Sequence, residues 1–374
     1  MKESKTATIN WIELIHKLGA NFEKRANDND KEGTFVHANY ADLKKNSFFS
    51  AAIPVELGGG GISHQEMCNV IRIMAQYCSS TALAFSMHQH LIAPSLWKLK
   101  HKNVGATMLQ NVAKHQLVLI STGAADWLGS SGELTKTDGG YLFTGKKYFA
   151  SQSEAGNVVV TSARYLNEDK DWKVLHFSAS MNTEGISIAE DWDVLGMRAT
   201  GSQTLEFKNV FIPDASIALE RPKDEFHMVW NIVLTVALPL IMATYVGIAE
   251  KGMEIVLARG RAIKGNKDQI SIRIGKLNNV LLSIQTQWNA MHQMTNNFNF
   301  KPNELTSIKA LSYKTNIAEG AKEVVTEAME IIGGQSFYKK NNLERLFRDV
   351  QAGEFHPLPK WKQYAFTGER LLKE

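Results

Sequence analysis

Three short stretches of the chain combine small hydroxyl side chains and glycine at the ends of β-rich segments. They are LISTG at Leu119–Gly123, GKKYFASQS at Gly145–Ser153 and GMRATGSQ at Gly196–Gln203. Hydroxyl and backbone N–H groups bind the polar edge of a flat ligand, and an aromatic ring covers its face. These stretches therefore suit a planar ring whose edge alternates hydrogen-bond donors and acceptors, as in a flavin.

Three residues in these stretches are the first candidates for ring contacts. Phe149 supplies an aromatic face, and Thr122 and Ser151 supply hydroxyls for the edge. Small hydroxyl residues also end strands and initiate turns in proteins that bind no ligand. The residue types alone leave both interpretations open.

Composition describes an ordinary globular chain of 374 residues, with 44% hydrophobic and 21% charged residues. The 42 basic and 38 acidic residues give a small net charge of +4, which argues against nucleic-acid and anionic-membrane partners. The first residues lack the apolar core of a signal peptide, so a cytoplasmic protein is expected. The uncharged stretch Met228–Ala249 is about long enough to span a bilayer, but its polar residues favour a helix buried in a bundle.

The cysteines and histidines do not form a metal-binding motif along the sequence. Cys68 and Cys78 are ten residues apart without a CxxC pattern or a Cys/His cluster, so neither a disulfide framework nor a zinc site is predicted. His88 and His90 are two residues apart, and on a helix they point to different faces. Packing in the core or a cleft is expected for them, and no metal site is predicted.

Apolar periodicity divides the chain into three parts. Helical spacing runs from about residue 10 to 114 and is broken by the four-glycine loop before Ser63, which is expected to cap the next helix. Short β-rich runs bounded by turn residues occupy roughly 117–215. Helical patterns resume after Pro213 and continue almost to the end. An antiparallel sheet or small barrel between two helical layers creates clefts on its faces, where a cofactor is expected.

Five motifs, taken together and in order, resemble the acyl-CoA dehydrogenase superfamily. They are PVELGGGGIS (54–63), SSTALAFSMH (79–88), LGMRATGSQTLEFKNVFIP (195–213), AMEIIGGQSF (328–337) and LERLFRDV (343–350). The resemblance implies an α+β multidomain fold. Its parts are an N-terminal helical domain over 1–116, a middle β-barrel over 117–217 and a C-terminal four-helix bundle over 218–374. It also implies assembly as a homotetramer or homodimer.

The resemblance assigns cofactor contacts to individual residues. Thr122 matches a threonine on the flavin pyrimidine, Phe149 an aromatic against the ring and Ser151 a threonine near the flavin N5 atom. Gly333 and Gly334 match a turn that approaches the nucleotide part of a neighbouring subunit's FAD, where glycine allows close backbone approach.

The stretch that ends the β-domain adds three more candidates. Arg198, Thr200 and Ser202 lie where that domain meets the flavin and the bundle. For Arg198 a contact with the ligand and a salt bridge between domains are both expected roles. FAD is the expected cofactor, with FMN as the alternative because ARGRAIKGN (258–266) replaces the family's pyrophosphate-binding motif.

The catalytic glutamate of the family is missing from its usual place. That residue stands nine positions after Arg348, where this chain has Pro357. Glu354 and His356 are the nearby candidates for a base, which must reach the substrate proton by a hydrogen bond. The alternative interpretation is that neither residue has a catalytic role. Glu354 is then a solvated carboxylate, and His356 is a turn residue before Pro357.

Three functions follow from the resemblance and its departures. The first is a flavin-dependent oxidoreductase that oxidises the Cα–Cβ bond of an acyl-CoA-like substrate, with Glu354 as base. The alternative is a two-component monooxygenase that receives reduced flavin from a separate reductase and reacts it with O2, with His356 and Ser151 at the reaction site. The third is a non-catalytic binding module. Expected partners are a small-molecule substrate and a flavin reductase or electron acceptor.

Overall fold

A computed structural model describes residues 9–123, 126–262 and 267–373. In these ranges helices come first, then strands, then helices again, as the sequence predicts. The first helices are α1 (Trp11–Glu32), α2 (His37–Lys45), α3 (His64–Tyr77), α4 (Ser79–Lys102) and α5 (Ala106–His115). The strands are β1 (Leu119–Ser121), β2 (Glu133–Thr137), β3 (Gly140–Ala150), β4 (Val158–Leu166), β5 (Trp172–Ser180), β6 (Ile186–Ile188), β7 (Gln203–Pro213) and β8 (Ile217–Pro222). The last helices are α6 (Val229–Ala262), α7 (Lys267–Thr295), α8 (Glu304–Ile332), α9 (Asn342–Val350) and α10 (Lys360–Leu371).

Side-chain caps explain where the N-terminal helices begin. Asn10 accepts a hydrogen bond from the backbone of Glu13 at the start of α1. Ser63 does the same for Glu66 at the start of α3, which is the cap expected after the four-glycine loop. Gly33 ends α1 in the left-handed conformation, with φ of 66°.

The predicted β-barrel is not seen as a closed structure. The described strands form one open sheet in the order β6-β7-β3-β2-β4-β5-β8, with β1 paired to β4. The pairs β1–β4 and β2–β4 are parallel, so the sheet is mixed and not antiparallel as expected. Closure requires the two edge strands to pair. In the described ranges the three-residue β6 pairs with β7 and the other edge, β8, pairs with β5.

Two other details of the predicted domains differ from the structure. Strand β8 extends to Pro222, so the sheet continues beyond the predicted boundary at residue 217. Among the described residues of the C-terminal region, α6, α7 and α8 are long and α9 and α10 are short, so a bundle of four similar helices is not confirmed.

Helix α6 is the centre of the helical core. It packs against α3 and α4 from the N-terminal part and against α7 and α8 from the C-terminal part. By length and composition it is apolar enough to cross a membrane, but 94% of its most apolar window is buried inside the protein. An apolar surface on all sides of a helix is what burial in a bundle requires.

His88 makes the stability of the fold depend on pH, because its two hydrogen bonds require a neutral ring. Its Nδ1 accepts from the backbone N–H of Leu119 at 3.1 Å, and its Nε2 donates to the carbonyl of Phe49 at 2.8 Å. Burial lowers the pKa of His88 to about 4 from an ordinary value of 6.5. Between these values the unfolded chain binds more protons, so this stabilisation is complete above pH 6.5 and lost as the pH falls toward 4.

We expect the difference in unfolding free energy between wild type and His88→Gln to shrink as the pH falls from 6.5 to 4. The change reaches at most about 1.4 kcal/mol per pH unit. Urea unfolding at a series of pH values measures it. Ser86→Ala, at a buried residue of the same helix that does not titrate, is the control and should give a pH-independent difference. If plots of unfolding free energy against pH ran parallel for wild type and His88→Gln, the proposed contribution of His88 to the pH dependence would be contradicted.

Candidate functional site

A chain of buried hydroxyls connects the ends of β3 and β7. The Oγ atoms of Ser151 and Ser202 are 2.8 Å apart, and Ser202 Oγ is 2.7 Å from Thr200 Oγ1. Thr200 donates to the carbonyl oxygen of Met197 at 2.9 Å. If each hydroxyl proton is used inside the chain, Ser202 donates to Thr200 and Ser151 donates to Ser202. Ser151 then presents lone pairs, so it can accept a hydrogen bond from a ligand.

The hydroxyl chain continues into the C-terminal Arg-Asp motif. The backbone N–H of Met197 donates to Asp349 at 2.6 Å, and Ser79 at the start of α4 donates to the other carboxylate oxygen. Asp349 is completely buried, and burial raises its pKa, although the nearby Arg345 opposes this. One carboxylate thus connects the β-domain loop, α4 and the segment that leads to His356.

Phe149 is held with its ring exposed beside these hydroxyls. It has a φ of 59°, which is uncommon for a bulky residue, and it lies in an irregularity of the β3–β7 pairing. Its side chain is 54% exposed, and the ring of Trp192 meets it edge-on at 6.2 Å. Exposed aromatic faces in strained turns are characteristic of ligand sites. An exposed ring next to hydroxyl acceptors fits the isoalloxazine ring of a flavin.

Thr122 lies on the buried side of the same region. Its hydroxyl donates to Thr161 at 2.6 Å, which leaves its oxygen lone pairs and backbone for other contacts. The loop that follows is fixed by buried cations. Lys147 bonds Asp126 and the carbonyl of Ser131, and Arg221 bonds the carbonyl of Leu128.

Gln152 was missed by the sequence interpretation although it organises the site. Its backbone N–H donates to the carbonyl of Thr200 at 2.9 Å, and its side chain donates to the carbonyl of Leu119 at 2.8 Å. The hydroxyl of Tyr40 on α2 donates to its side-chain oxygen at 2.5 Å. The sequence feature that could have identified it is a long polar residue next to a strand end, flanked by small hydroxyl residues.

The contacts of Arg198 are with the protein itself. Its guanidinium donates to the backbone carbonyls of Asp30 and Val194 at 2.9 and 2.8 Å, and it lies 3.2 Å from the carboxylate of Asp193. The bond to the Asp30 carbonyl joins the β-domain loop to the end of α1, while the carboxylate partner, Asp193, belongs to the same loop as Arg198. Among the described residues the expected salt bridge between domains is therefore not seen, and a ligand contact of Arg198 stays a prediction.

Gly333 and Gly334 lie on the exposed end of α8. Gly333 has a φ of 71° and its N–H caps the helix, which accounts for glycine there without a ligand. A Cβ atom added to Gly334 would meet no atom within 4 Å in this chain. Their contact with a neighbouring subunit's nucleotide stays a prediction.

Glu354 and His356 have very different surroundings. The carboxylate of Glu354 forms an ion pair with Lys322, while Lys314 donates to its backbone carbonyl at 3.3 Å. His356 Nε2 lies 2.6 Å from the hydroxyl of Tyr245 on α6. The segment therefore presents an imidazole–phenol pair next to a carboxylate that already has a cationic partner.

Burial and neighbouring charge keep His356 neutral. Burial lowers its pKa to about 3, and the positive charge of Lys314 and the nearby His90 act in the same direction. Burial also lowers the pKa of Lys314 to about 8, although Glu354 and Glu319 oppose it. Tyr245 has its pKa raised by burial, so its phenol keeps its proton and donates to His356 at neutral pH.

His88 and His90 do not form a metal pair. Both nitrogens of His88 are used by the backbone contacts described above, and Nδ1 of His90 has no hydrogen-bond partner. Packing of His88 in the core agrees with the expectation from its helical spacing.

Comparison with known families decides which fold family this is. Residues 17–116 match the model of the acyl-CoA dehydrogenase N-terminal domain, and residues 232–356 match that of the acyl-CoA dehydrogenase C-terminal domain. Together the two matches cover more than half of the chain. The chain belongs to the acyl-CoA dehydrogenase family. This confirms the resemblance seen in the five motifs, and it places the protein among flavoprotein oxidoreductases.

Members of the acyl-CoA dehydrogenase family with different names resemble the whole chain. Putative acyl-CoA dehydrogenase YdbM of Bacillus subtilis (strain 168) is 26% identical over 364 residues, covering 93% of this chain and 92% of that protein. Amino sugar nitrososynthase DnmZ of Streptomyces peucetius is 24% identical over 366 residues, covering 92% and 89%. Family membership therefore does not determine the reaction.

A solved acyl-CoA dehydrogenase-like structure confirms the fold. FMN-bound TdsC from Paenibacillus sp. A11-2, a dibenzothiophene monooxygenase, superposes with a TM-score of 0.85 at 16% identity. The match covers 98% of each chain. At this identity the comparison concerns the fold and not the substrate.

Proposed function

We propose that the protein is a monooxygenase that binds reduced flavin, supplied by a separate reductase, and uses O2 to oxidise a small organic substrate. The sequence interpretation held this as the alternative to oxidation of a Cα–Cβ bond. The proposal is carried by the hydrogen-bonded pair of His356 and Tyr245, a neutral imidazole and a phenol in the segment where the family's dehydrogenases need a free carboxylate.

The environment of Glu354 supports the same reaction. A general base must be deprotonated and free to contact the proton that it removes. The carboxylate of Glu354 is paired with Lys322, so proton abstraction would first require breaking that ion pair. His356 needs no such change, because its Nε2 accepts from Tyr245 and its Nδ1–H is left to donate to a ligand.

The hydroxyl chain favours the reduced form of the cofactor. Ser151 matches the family position near flavin N5, and its oxygen is an acceptor when Ser202 takes its proton. Reduced flavin carries a hydrogen on N5 and donates there, whereas oxidised flavin accepts. Pairing an acceptor with a donor is stabilising, and pairing two acceptors leaves a polar group unpaired.

Each remaining residue of the site has its own proposed role. Flavin, when bound, supplies the electrons and the site at which O2 is activated. Phe149, buttressed by Trp192, covers a ring face, and Thr122 offers its oxygen to the ring edge. His356 keeps its proton on Nδ1, where it can donate to a ligand, while its Nε2 accepts from Tyr245.

FMN is the cofactor proposed first, with FAD as the alternative. TdsC is a structural neighbour whose crystals contain FMN. The chain lacks the family's pyrophosphate-binding motif, and the positions that match the nucleotide turn, Gly333 and Gly334, are exposed in the single chain. A homotetramer or homodimer, proposed from the family, would bring a second chain to that surface.

The experiment compares flavin redox states and reactions. We expect the purified protein to bind reduced FMN more tightly than oxidised FMN under anaerobic titration. Mixing that complex with O2 should reoxidise the flavin more slowly than free reduced FMN. Equal affinities together with unaltered reoxidation would overturn the proposal.

Dehydrogenation is tested in parallel because YdbM is named a putative acyl-CoA dehydrogenase. Acyl-CoA substrates of several lengths are added to the oxidised flavin complex, and bleaching of the flavin is recorded. Bleaching that disappears in Glu354→Gln would assign the base to Glu354 and replace the proposed reaction. We expect neither wild type nor Glu354→Gln to bleach.

A further inference from the structure

Three side chains that the proposed function does not use come together where α3 meets the end of α7. His64 and Cys68 are four residues apart on α3, so they share a face, and His292 lies in the last turn of α7. One ligand atom from each residue lies within 4.8 Å of the other two. All three residues are buried.

His64 has one nitrogen directed into this cluster. Its Nε2 donates to the carbonyl oxygen of Val236 at 2.8 Å, so the Nδ1 atom of the neutral ring carries a lone pair. That Nδ1 lies 3.7 Å from the sulfur of Cys68 and 3.5 Å from the hydroxyl of Thr295. Thr295 donates its proton to the carbonyl of His292, leaving His64 without that donor. A carbonyl behind an imidazole is the usual support for a metal-binding histidine.

Among the residues that the structure describes, His292 has no hydrogen-bond partner for either ring nitrogen. Both Nδ1 and Nε2 are unpaired there although the residue is only 5% exposed. A buried polar group left without a partner costs about 1–3 kcal/mol. The ring of Trp288 packs against it edge-on at 4.1 Å, which orients it. An unpartnered buried nitrogen calls for a water or an ion.

The three side chains offer the ligand atoms that a metal needs, which are one nitrogen from each imidazole and the sulfur of Cys68. Two nitrogen ligands and one sulfur ligand are a donor set that zinc binds well.

We propose that His64, Cys68 and His292 bind a zinc ion that joins α3 to α7. Binding forms two Zn–N bonds and one Zn–S bond, releases the Cys68 proton to solvent and leaves the metal as Zn²⁺. A water molecule completes the tetrahedron, because His292 borders a polar cavity of about 560 Å³ that Gln65 and Asn289 also line.

The site connects the two parts of the chain that match different family models. α3 lies within residues 17–116 and α7 within 232–356. A metal that binds only the folded state stabilises it by an amount that grows with the logarithm of its free concentration relative to its dissociation constant. Zinc bound here is therefore expected to stabilise the folded chain whether or not flavin is bound.

Metal analysis of tag-free protein tests the proposal. We expect about one zinc per chain in wild type, a large loss of zinc in Cys68→Ser and in His292→Asn, and full content in Cys78→Ser. Cys78 is the matched control because it is also a buried free cysteine. Chelation should lower the melting temperature of wild type and of Cys78→Ser but not that of Cys68→Ser.

Cobalt substitution tests the site in the wild-type protein, so the result does not depend on whether a variant folds. A thiolate-to-cobalt charge-transfer band, tetrahedral cobalt absorption and release of about one proton per metal bound are expected. Substoichiometric zinc, or cobalt spectra without a thiolate band, would overturn the proposal. Those results would leave a water on His292 and a Cys68–His64 hydrogen bond as the account of the cluster.

Discussion

Replacing His356 by asparagine is expected to lower substrate oxygenation by about 100- to 10,000-fold, the usual contribution of a positioned proton donor or acceptor. The amide keeps a polar group but cannot exchange a proton with Tyr245. His356 is expected to take part in the reaction and not to contact the flavin ring. The variant should therefore bind reduced FMN with nearly the affinity of the wild type. Steady-state turnover and anaerobic flavin titration separate the two effects.

Tyr245→Phe is the matched control for His356→Asn. It keeps the ring that packs in α6 and removes only the hydroxyl that lies 2.6 Å from His356. A smaller loss of turnover is expected, because the imidazole itself remains. If His356→Asn turned over substrate at the wild-type rate, a role for this residue in proton transfer would be excluded.

Lys147→Met is expected to destabilise the folded protein by about 3–5 kcal/mol. Lys147 is fully buried, and it bonds the carboxylate of Asp126 and the carbonyl of Ser131. Methionine fills similar volume but leaves the carboxylate of Asp126 buried without its cation. Urea unfolding monitored by circular dichroism measures the loss.

The neighbouring residue provides the control for Lys147. Lys146 also forms an ion pair, with Glu206 at 2.5 Å, but its side chain is 59% exposed. Water screens an exposed pair, so Lys146→Met should lower the unfolding free energy far less than Lys147→Met. The double variant Asp126→Asn/Lys147→Met should recover part of the loss because no charge is left unpaired. Equal losses for the two lysines would contradict the buried pair.

Local patterns in the sequence were sufficient to predict most of the helices and strands. Ser63 caps α3 as its position after the glycine loop predicts, and the apolar stretch of α6 is buried as its polar residues indicated. Barrel closure and the number of bundle helices were taken from the family resemblance. The described strands form an open mixed sheet, since pairing between distant strands leaves no periodic signal in the sequence.

The site was predicted one residue at a time. Ser151 and Ser202 were each expected near the flavin from the family resemblance, and only the structure shows that their hydroxyls are hydrogen-bonded where β3 and β7 pair. Tyr245 was not predicted because it lies inside an apolar helix with no local motif. The same holds for His292, which reaches His64 only when α7 packs against α3.

The central position of α6 determines how the chain can fold as it is synthesised. Helices α3 and α4 leave the ribosome long before α6, which covers their apolar surfaces in the finished protein. Until then those surfaces have only transient partners, and exposed apolar surface promotes aggregation. Nascent chains of this protein should therefore depend on chaperones until translation passes residue 262.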